Sequence, residues 1–297
     1  MGEIAIAALM NLQRHIKRQA KKMPVVFFLI PSLSGFLLFF LLPFVAGLGY
    51  ALTDSSMNGR FTGLKNILGL FANEAFLTSI KNTLLFMAPS VFLCVVLPMI
   101  AAILFSRFVY AKKMLRILIL SPMAVPSATV ALFWQIFFDF RGPLNHLLVN
   151  FGMKPLDWLK GEWGVVVVMA VYLWKNFGYD MIIYTVGVNN IPSEQYEAAG
   201  IDGAGHVRKL FAVTLPNLVP TIFFVITISI VNCFKVFRET YLIFGKYPNE
   251  NVYMLQNFMN NMFLQLNYPK LTSAAYITAV FITAVLLVIY IFERRAS

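Results

Sequence analysis

The chain has 297 residues, of which 59% are hydrophobic and 12% are charged, whereas about a quarter of the residues of an average soluble domain are charged. Together with a mean hydropathy of +0.74, this composition excludes an ordinary soluble globular protein. The formal net charge is +11. We interpret this excess as basic residues that flank membrane spans on the cytoplasmic side, so we expect no nucleic-acid partner.

Residues 1–23 form a basic N-terminal segment that we expect to lie on the cytosolic side of the membrane. Its composition is too polar for a cleavable signal peptide. Two interpretations stay open for it: a flexible tail, or a basic helix that lies on an anionic membrane surface. Its basic side chains are Arg14, Lys17, Arg18, Lys21 and Lys22.

Residues 24–297 contain six apolar runs of roughly twenty residues or more, the length that crosses a bilayer as a helix. The runs lack the alternating pattern of a membrane β-barrel, and only helices or closed barrels satisfy the backbone in lipid. The sequence therefore predicts an all-α, polytopic membrane protein whose residues 24–297 form one transmembrane domain. The predicted spans are residues 25–48, 83–105, 115–138, 164–188, 218–242 and 271–292.

The distribution of lysine and arginine gives the expected orientation of these spans. Basic residues are denser in the N-terminal segment, the 106–114 loop, the loop between spans four and five and the C-terminal tail than in the other three loops. We therefore expect both termini, and the loop between spans four and five, to face the cytosol.

A polar island separates the fourth and fifth predicted spans at residues 191–217. Ser193 is expected to cap a first short helix, which a cluster of glycines then breaks. Asp202 is expected to cap a second helix, which begins near Ala204 and ends at Leu215–Pro216 because proline stops a helix. Gly203 is expected to take the positive φ that the bend needs.

Six residues of this island form a pattern: Glu197, Ala198, Ala199, Gly203, Leu215 and Pro216. The pattern resembles the EAA motif of ABC importer permeases. Val213 stands where isoleucine is usual in that motif, which is a mild difference. The flanking sequence also resembles the six-span, maltose-type carbohydrate permeases along most of the chain.

The resemblance implies a type I ABC importer permease fold in the bacterial cytoplasmic membrane, surrounded by lipid. In that family this loop, here called the coupling loop (residues 191–217), inserts a short helix into an ATPase subunit. The family also implies a second homologous permease subunit, two ATPase subunits that bind ATP and magnesium, an extracytoplasmic solute-binding protein and a carbohydrate substrate. The residues expected to couple to the ATPase are Glu197, Ala198, Ala199, Asp202, Gly203, Ala204, Leu215 and Pro216.

The glycine cluster of residues 200–205 does not predict a nucleotide site on this chain. Gly205 is followed by His206, and no lysine followed by serine or threonine completes the phosphate-binding pattern. We expect ATP to be bound in trans. The structural alternative for the loop is an ordinary amphipathic connector with glycine turns.

Ionisable side chains within the predicted spans mark a candidate substrate path, since each costs about 2.5–3.5 kcal/mol at a helix centre. Lys175 lies in the fourth span, and Lys235, Arg238 and Glu239 lie in the fifth. The structural alternative is a pair between Lys235 and Glu239, which share a helix face, with Arg238 reaching towards the outer surface.

The resemblance to the maltose-type permeases adds a mapping of sugar-contacting residues onto these two spans. The local charges, with Asp180 counted among the acids, lean positive, so an anionic sugar is a hypothesis beside a neutral one. By this mapping the substrate path comprises Tyr172, Lys175, Asn176, Tyr179, Asn232, Cys233, Lys235 and Val236.

Other functions stay open at this point. An ion-coupled secondary transporter would use Lys175, Asp180 and Glu239 as proton or ion sites. An intramembrane enzyme would need a nucleophile paired with a base, or a set of metal ligands, and the sequence offers neither. Cys94 and Cys233 lie in apolar runs and the three histidines are far apart, so we expect no metal and no enzymatic activity on this chain.

Overall fold

The computed structural model describes residues 28–54, 59–105, 119–246 and 248–296. Its regular structure is helical, and the β-type pairing in this part of the chain is an isolated antiparallel bridge between Thr53 and Phe61. The basic segment 1–23 and the 106–114 loop lie outside the described residues, so the expectations for them stay predictions.

Eleven helices are numbered here in the described part of the chain, beside the helical residues 119–124 and a 3-10 turn at Glu250–Val252. Of these, α1, α3, α6, α8 and α11 are long and apolar enough to cross a membrane. In chain order the helices are α1 (Phe28–Ala51), α2 (Lys65–Leu70), α3 (Glu74–Phe105), α4 (Ser127–Phe137), α5 (Pro143–Asn150), α6 (Gly164–Asn189), α7 (Ser193–Ile201), α8 (His206–Cys233), α9 (Phe237–Phe244), α10 (Leu255–Leu264) and α11 (Tyr268–Ala296).

The third predicted span is interrupted in the structure. Residues 115–118 lie outside the described part, residues 119–124 are helical, and the chain then bends at Val125 and Pro126 before α4 begins. Pro126 has an extended ψ of 137°, and its ring also pushes the preceding residue away from helical geometry. Since α4 has only 11 residues, the count of six spans stays a prediction.

The fifth predicted span, residues 218–242, has the wrong bounds. The helix α8 begins earlier, at His206, and ends at Cys233. Residues 234–236 form a turn, and the short helix α9 follows. The fifth span therefore includes the second half of the coupling loop and stops in the middle of the predicted substrate path.

The core lies where α3, α6 and α8 pack together. Phe86, Tyr172 and Cys233, one from each helix, belong to one buried apolar cluster. Close approach between elements depends on Gly178, where a Cβ atom would lie 1.9 Å from the carbonyl oxygen of Ile119. The helical turn 119–124 is therefore held directly against the middle of α6.

The first helix is attached only to the periphery of this core. None of its most apolar window is buried in the structure. It contacts α11 through Phe44 and Tyr276, whose ring centroids are 4.8 Å apart. Most of the apolar surface of α1 therefore faces outward, as expected for a helix that meets lipid or another membrane subunit.

Candidate functional site

A cavity of about 320 Å³ opens between α6, the end of α8 and the start of α9, and we call it the central cavity. Polar side chains dominate its lining, which is unusual for a surface within membrane-spanning helices. Its lining residues are Met123, Tyr172, Lys175, Asn176, Asn232, Lys235, Val236, Arg238 and Glu239.

Six of the eight residues mapped onto the substrate path line this cavity, and Tyr179 and Cys233 do not. On α6, positions 172, 175 and 176 share one face, but Tyr179 lies a further turn along the helix, beyond the lining. The side chain of Cys233 is only 2% exposed and packs into the core cluster. The cavity therefore covers about one turn of α6 and the break after α8.

Glu239 is held by two side chains from other helices. The ammonium group of Lys175 forms an ion pair with Glu239 Oε1, and the hydroxyl of Ser127 donates a hydrogen bond of 2.9 Å to the same oxygen. Lys175 also donates to Ser127 Oγ at 3.0 Å. These contacts join α4, α6 and α9 at one wall of the cavity.

The alternative pair between Lys235 and Glu239, which the sequence left open, does not form: Glu239 pairs with Lys175. That alternative assumed a continuous helix, in which residues four apart share a face. The turn at residues 234–236 separates the two side chains, so Glu239 is directed to Lys175 while Lys235 is exposed. Ser127 was not expected to take part, because its contact with Glu239 joins residues 112 positions apart.

A second set of hydrogen bonds joins α6 to the end of α8. The amide of Asn232 donates to Asn176 Oδ1 at 3.2 Å, and Asn176 in turn donates to the carbonyl oxygen of Tyr172 at 2.8 Å. The hydroxyl of Tyr172 donates to the carbonyl of Ser229 at 2.8 Å. These hydrogen bonds hold the side chains of Tyr172, Asn176 and Asn232 in place on the cavity wall.

The remaining cations of the cavity are Lys235 and Arg238. Both side chains are exposed, and neither forms an ion pair with any residue that the structure describes. Asp180, counted among the acids in the sequence, is only 1% exposed and does not line the cavity. Met123, Arg238 and Glu239 also line the cavity but were missing from the residues mapped by resemblance. Arg238 and Glu239 had been marked only by their charge within an apolar run.

The coupling loop is a bent pair of helices, but its details differ from those predicted. Pro192, not Ser193, is the residue that precedes α7, and no side chain caps that helix. The predicted cap by Asp202 is also wrong, because α8 begins after Gly205 and Asp202 ends α7 instead. Gly203 has a φ of +76°, as predicted.

Proline does not end the second helix of the loop. A π-helical turn at Leu210–Thr214 precedes Leu215, whose backbone N–H bonds to the carbonyl of Leu210. This wider turn lets the helix continue past Pro216, which has no N–H to donate. The second half of the coupling loop and the following span are consequently a single helix.

Hydrogen bonds fix α7 against α8. The hydroxyls of Tyr196 and Thr214 lie 3.0 Å apart, and Asn217 donates to Gln195 Oε1 at 2.7 Å. Of the predicted coupling residues, Glu197, Ala198, Asp202, Gly203 and Pro216 are exposed, and the rest are half-buried.

Three large apolar side chains of the loop are also exposed, although none was predicted as a site residue. Ile201 is 89% exposed, Val207 is 70% exposed and Phe211 is 64% exposed. Val207 and Phe211 are four residues apart on α8 and share a face. The sequence indicated these residues only as apolar side chains within an otherwise polar segment.

A protein-family model described as "binding-protein-dependent transport system inner membrane component" matches residues 94–297. Among curated proteins, the arabinooligosaccharides transport system permease protein of Bacillus subtilis (strain 168) is 31% identical, over 78% of this chain and 76% of its own length. The sn-glycerol-3-phosphate transport system permease protein of Yersinia pestis is 29% identical, over 69% of this chain and 71% of its own.

Solved structures have the same fold. A bacterial ABC transporter involved in the import of the acidic polysaccharide alginate contains a chain that aligns with a TM-score of 0.82 at 25% identity, covering 96% of this chain and 99% of the other. A second structure, of the alginate transporter with a periplasmic protein bound to alginate pentasaccharide, aligns with a TM-score of 0.78 at 24% identity, covering 93% and 94%. Nothing in these matches supports an ion-coupled secondary transporter.

Proposed function

Because the chain belongs to the family of inner-membrane components of binding-protein-dependent transport systems, we propose that it forms half of the translocation path of an ATP-driven sugar importer and docks an ATPase on its coupling loop. Members of this family are multi-pass permeases of ABC transporters and not enzymes.

The continuity of α8 carries this proposal. The helix has 28 residues, or about 42 Å at 1.5 Å per residue. One end includes Val207 and Phe211 of the coupling loop, and the other ends at Asn232 and Cys233 beside the central cavity. Because α8 is helical from end to end, with a π-helical turn, Pro216 and Pro220 within it, a displacement of its loop end is passed on to its cavity end. Movement of a docked ATPase would therefore reach the cavity wall.

The exposed apolar surface of the coupling loop supports docking. Isolated apolar side chains on a surface are ordinary, but Ile201, Val207 and Phe211 lie within one short, internally braced segment. Aromatic and aliphatic anchors of this kind contribute most of the binding energy at protein interfaces. Glu197 and Asp202, which are also exposed, would meet polar groups at the rim.

The chemistry of the central cavity fits a carbohydrate. Its amides and cations are hydrogen-bonding partners for hydroxyl and anionic groups, and its volume of about 320 Å³ is at the lower end of the 300–1,000 Å³ typical of small-molecule sites. Related permeases are named for arabinooligosaccharides and for sn-glycerol-3-phosphate. Sugar and sugar-derived cargo is the class that these observations favour.

The proposed partners follow from what this chain lacks. It has no phosphate-binding pattern, so ATP and magnesium would bind to two ATPase subunits in trans. A second permease subunit would close the path from the opposite side, and an extracytoplasmic binding protein would deliver the substrate, since the family description is of a binding-protein-dependent transport system. Docking on the cytosolic side would place the coupling loop, and with it both termini, in the cytosol.

Copurification and uptake together test the proposal. We expect the tagged chain to copurify from membranes with an ATPase and a second permease, and sugar uptake into vesicles that contain the complex to require ATP. Uptake by the purified chain alone, driven by an ion gradient, would contradict the proposal.

A further inference from the structure

On the premise of the proposed function, we propose that the central cavity selects saccharides that carry a carboxylate or a phosphate, and that Lys235 and Arg238 bind this charge. The sequence alone left neutral and anionic sugars open. The arrangement of charged side chains at the cavity separates the two cases, because it shows which cations are already neutralised.

The charge of Lys175 is compensated within the chain. Its ammonium group pairs with Glu239, and Ser127 Oγ accepts a further hydrogen bond from it at 3.0 Å. Glu239 is 6% exposed and is the acid that lines the cavity. Lys175 and Glu239 therefore form a neutral structural pair, and the carboxylate is not available to Lys235 or Arg238.

Lys235 and Arg238 have no such compensation among the described residues. Lys235 lies in the turn between α8 and α9, where its backbone N–H bonds to the carbonyl of Asn232 at 2.9 Å, so the backbone that carries the side chain is fixed. Arg238 lies in the first turn of α9, whose N-terminus has no side-chain cap. The positive end of this helix adds to the two full charges.

Two cations without an acidic partner among the described residues line the cavity just beyond the end of α8, and a neutral sugar would not require them. An anion in the cavity forms charge-assisted hydrogen bonds to both, and these are about twice as strong as neutral ones. The same wall offers a group for hydroxyls. The amide of Asn232, which lines the cavity, donates one N–H to Asn176 Oδ1, and an amide also carries a second N–H and a carbonyl oxygen. A charged sugar satisfies the cations and the amide at once.

The test compares acidic saccharides with neutral counterparts of the same shape in cells that carry the complete importer. The probes are an oligogalacturonide with its methyl ester, and glucose 6-phosphate with glucose. We expect ATP-dependent uptake of one acidic member to exceed that of its neutral counterpart at least tenfold. Lys235→Gln and Arg238→Gln should each lower acidic uptake about tenfold, and should lower neutral uptake far less.

Two control variants separate charge from folding. Lys235→Arg should keep the preference for the acidic probe, because it keeps the cation in the same place. Lys270→Gln, which removes an exposed cation far along the chain at the start of α11, should change neither uptake. A preference that is also lost in Lys235→Arg would mean that shape, not charge, decides, and would overturn the proposal.

The remaining outcomes distinguish this inference from the proposed function. ATP-dependent uptake of the neutral probes at the same rate as the acidic ones would overturn the anionic preference and leave a sugar importer in place. Uptake of none of the four probes in an ATP-dependent manner would count against both. Loss of the second permease from the complex in Lys235→Gln would assign the cation to a subunit contact and overturn its role in binding.

Discussion

The two ends of α8, one in the coupling loop and one at the central cavity, differ in which side chains they expose and in which contacts stabilise them. The loop end presents Val207 and Phe211 to solvent, and the hydrogen bonds that join α7 to α8 there connect residues 18 and 22 positions apart. At the cavity end, Lys175 contacts Ser127 and Glu239, which lie 48 and 64 residues away from it in the sequence. The loop is therefore stable as a local unit with a free apolar surface, whereas the cavity depends on contacts between distant helices.

This comparison predicts that a change at the exposed apolar surface of the loop affects coupling without affecting folding, whereas loss of one partner of the ion pair at the cavity wall affects folding. The largest effect is expected at Phe211. Phe211→Asp should weaken the binding of the ATPase by about 2–4 kcal/mol, the range for an interface anchor. ATP-driven uptake should fall as a consequence. The thermal midpoint of the purified chain should stay unchanged because the side chain is 64% exposed.

Phe151→Asp is the matched control for this variant, since Phe151 is 79% exposed beyond the end of α5. It should leave the ATPase bound and uptake unchanged. Equal loss of uptake in both variants would mean that any new charge on an exposed apolar residue impairs the transporter, and the loop would lose its special role.

At the cavity end, Glu239→Leu should destabilise the chain by about 3 kcal/mol, because it leaves the cation of Lys175 in a partly buried site without a partner. The double variant Lys175→Met/Glu239→Leu should recover most of that loss, as apolar replacement of a buried pair often does. Thermal unfolding in detergent measures both. A double variant less stable than Glu239→Leu alone would refute the pairing.

The bend of the coupling loop should be sensitive at one glycine and not at its neighbour. Gly203 has a φ of +76°, whereas Gly205 has an ordinary φ of −70° and open space around it. Gly203→Ala should cost about 1–2 kcal/mol of local stability, and Gly205→Ala should cost nothing. Limited proteolysis of the loop distinguishes them, and equal cleavage rates would contradict the bent geometry.

The smallest effect is expected for the brace between α7 and α8. Tyr196→Phe removes the hydroxyl that lies 3.0 Å from Thr214 and should cost about 1 kcal/mol, the net value of a typical hydrogen bond. Hydrogen exchange of the α7 backbone should become faster by a few fold. Tyr241→Phe, a tyrosine of α9 outside the loop, should leave that exchange unchanged; acceleration by both would mean that the brace is not specific.

The two regions also differ in how far the sequence predicts them. The coupling loop could be located because its signal is local: glycines and two alanines beside an acid occur within about twenty residues, and Gly203 takes the expected positive φ. The predicted caps by Ser193 and Asp202 were wrong, because sequence patterns locate the ends of a helix only to within one or two residues. Pro216 failed to end α8 because the π-helical turn before it supplies an extra residue.

At the cavity, the composition predicted which spans carry the polar groups but not how these groups pair. The turn at Phe234, Lys235 and Val236 contains neither glycine nor proline. The sequence therefore predicts a continuous helix there, in which Lys235 and Glu239 would share a face. The true partners, Lys175 and Ser127, come from helices that only tertiary packing brings together. Contacts between residues this far apart leave no periodic pattern in a single sequence, so they could not be predicted from it.

The central claim is that the exposed face of the coupling loop contacts the ATPase. A cysteine introduced by Val207→Cys in the assembled importer, labelled with a short reagent that carries a photoactivatable group and is then illuminated, tests this most directly. The account predicts a cross-link to the ATPase subunit whose yield changes with ATP. Labelling of the same cysteine by a membrane-impermeant thiol reagent added outside intact cells, with no cross-link to an ATPase, would contradict it.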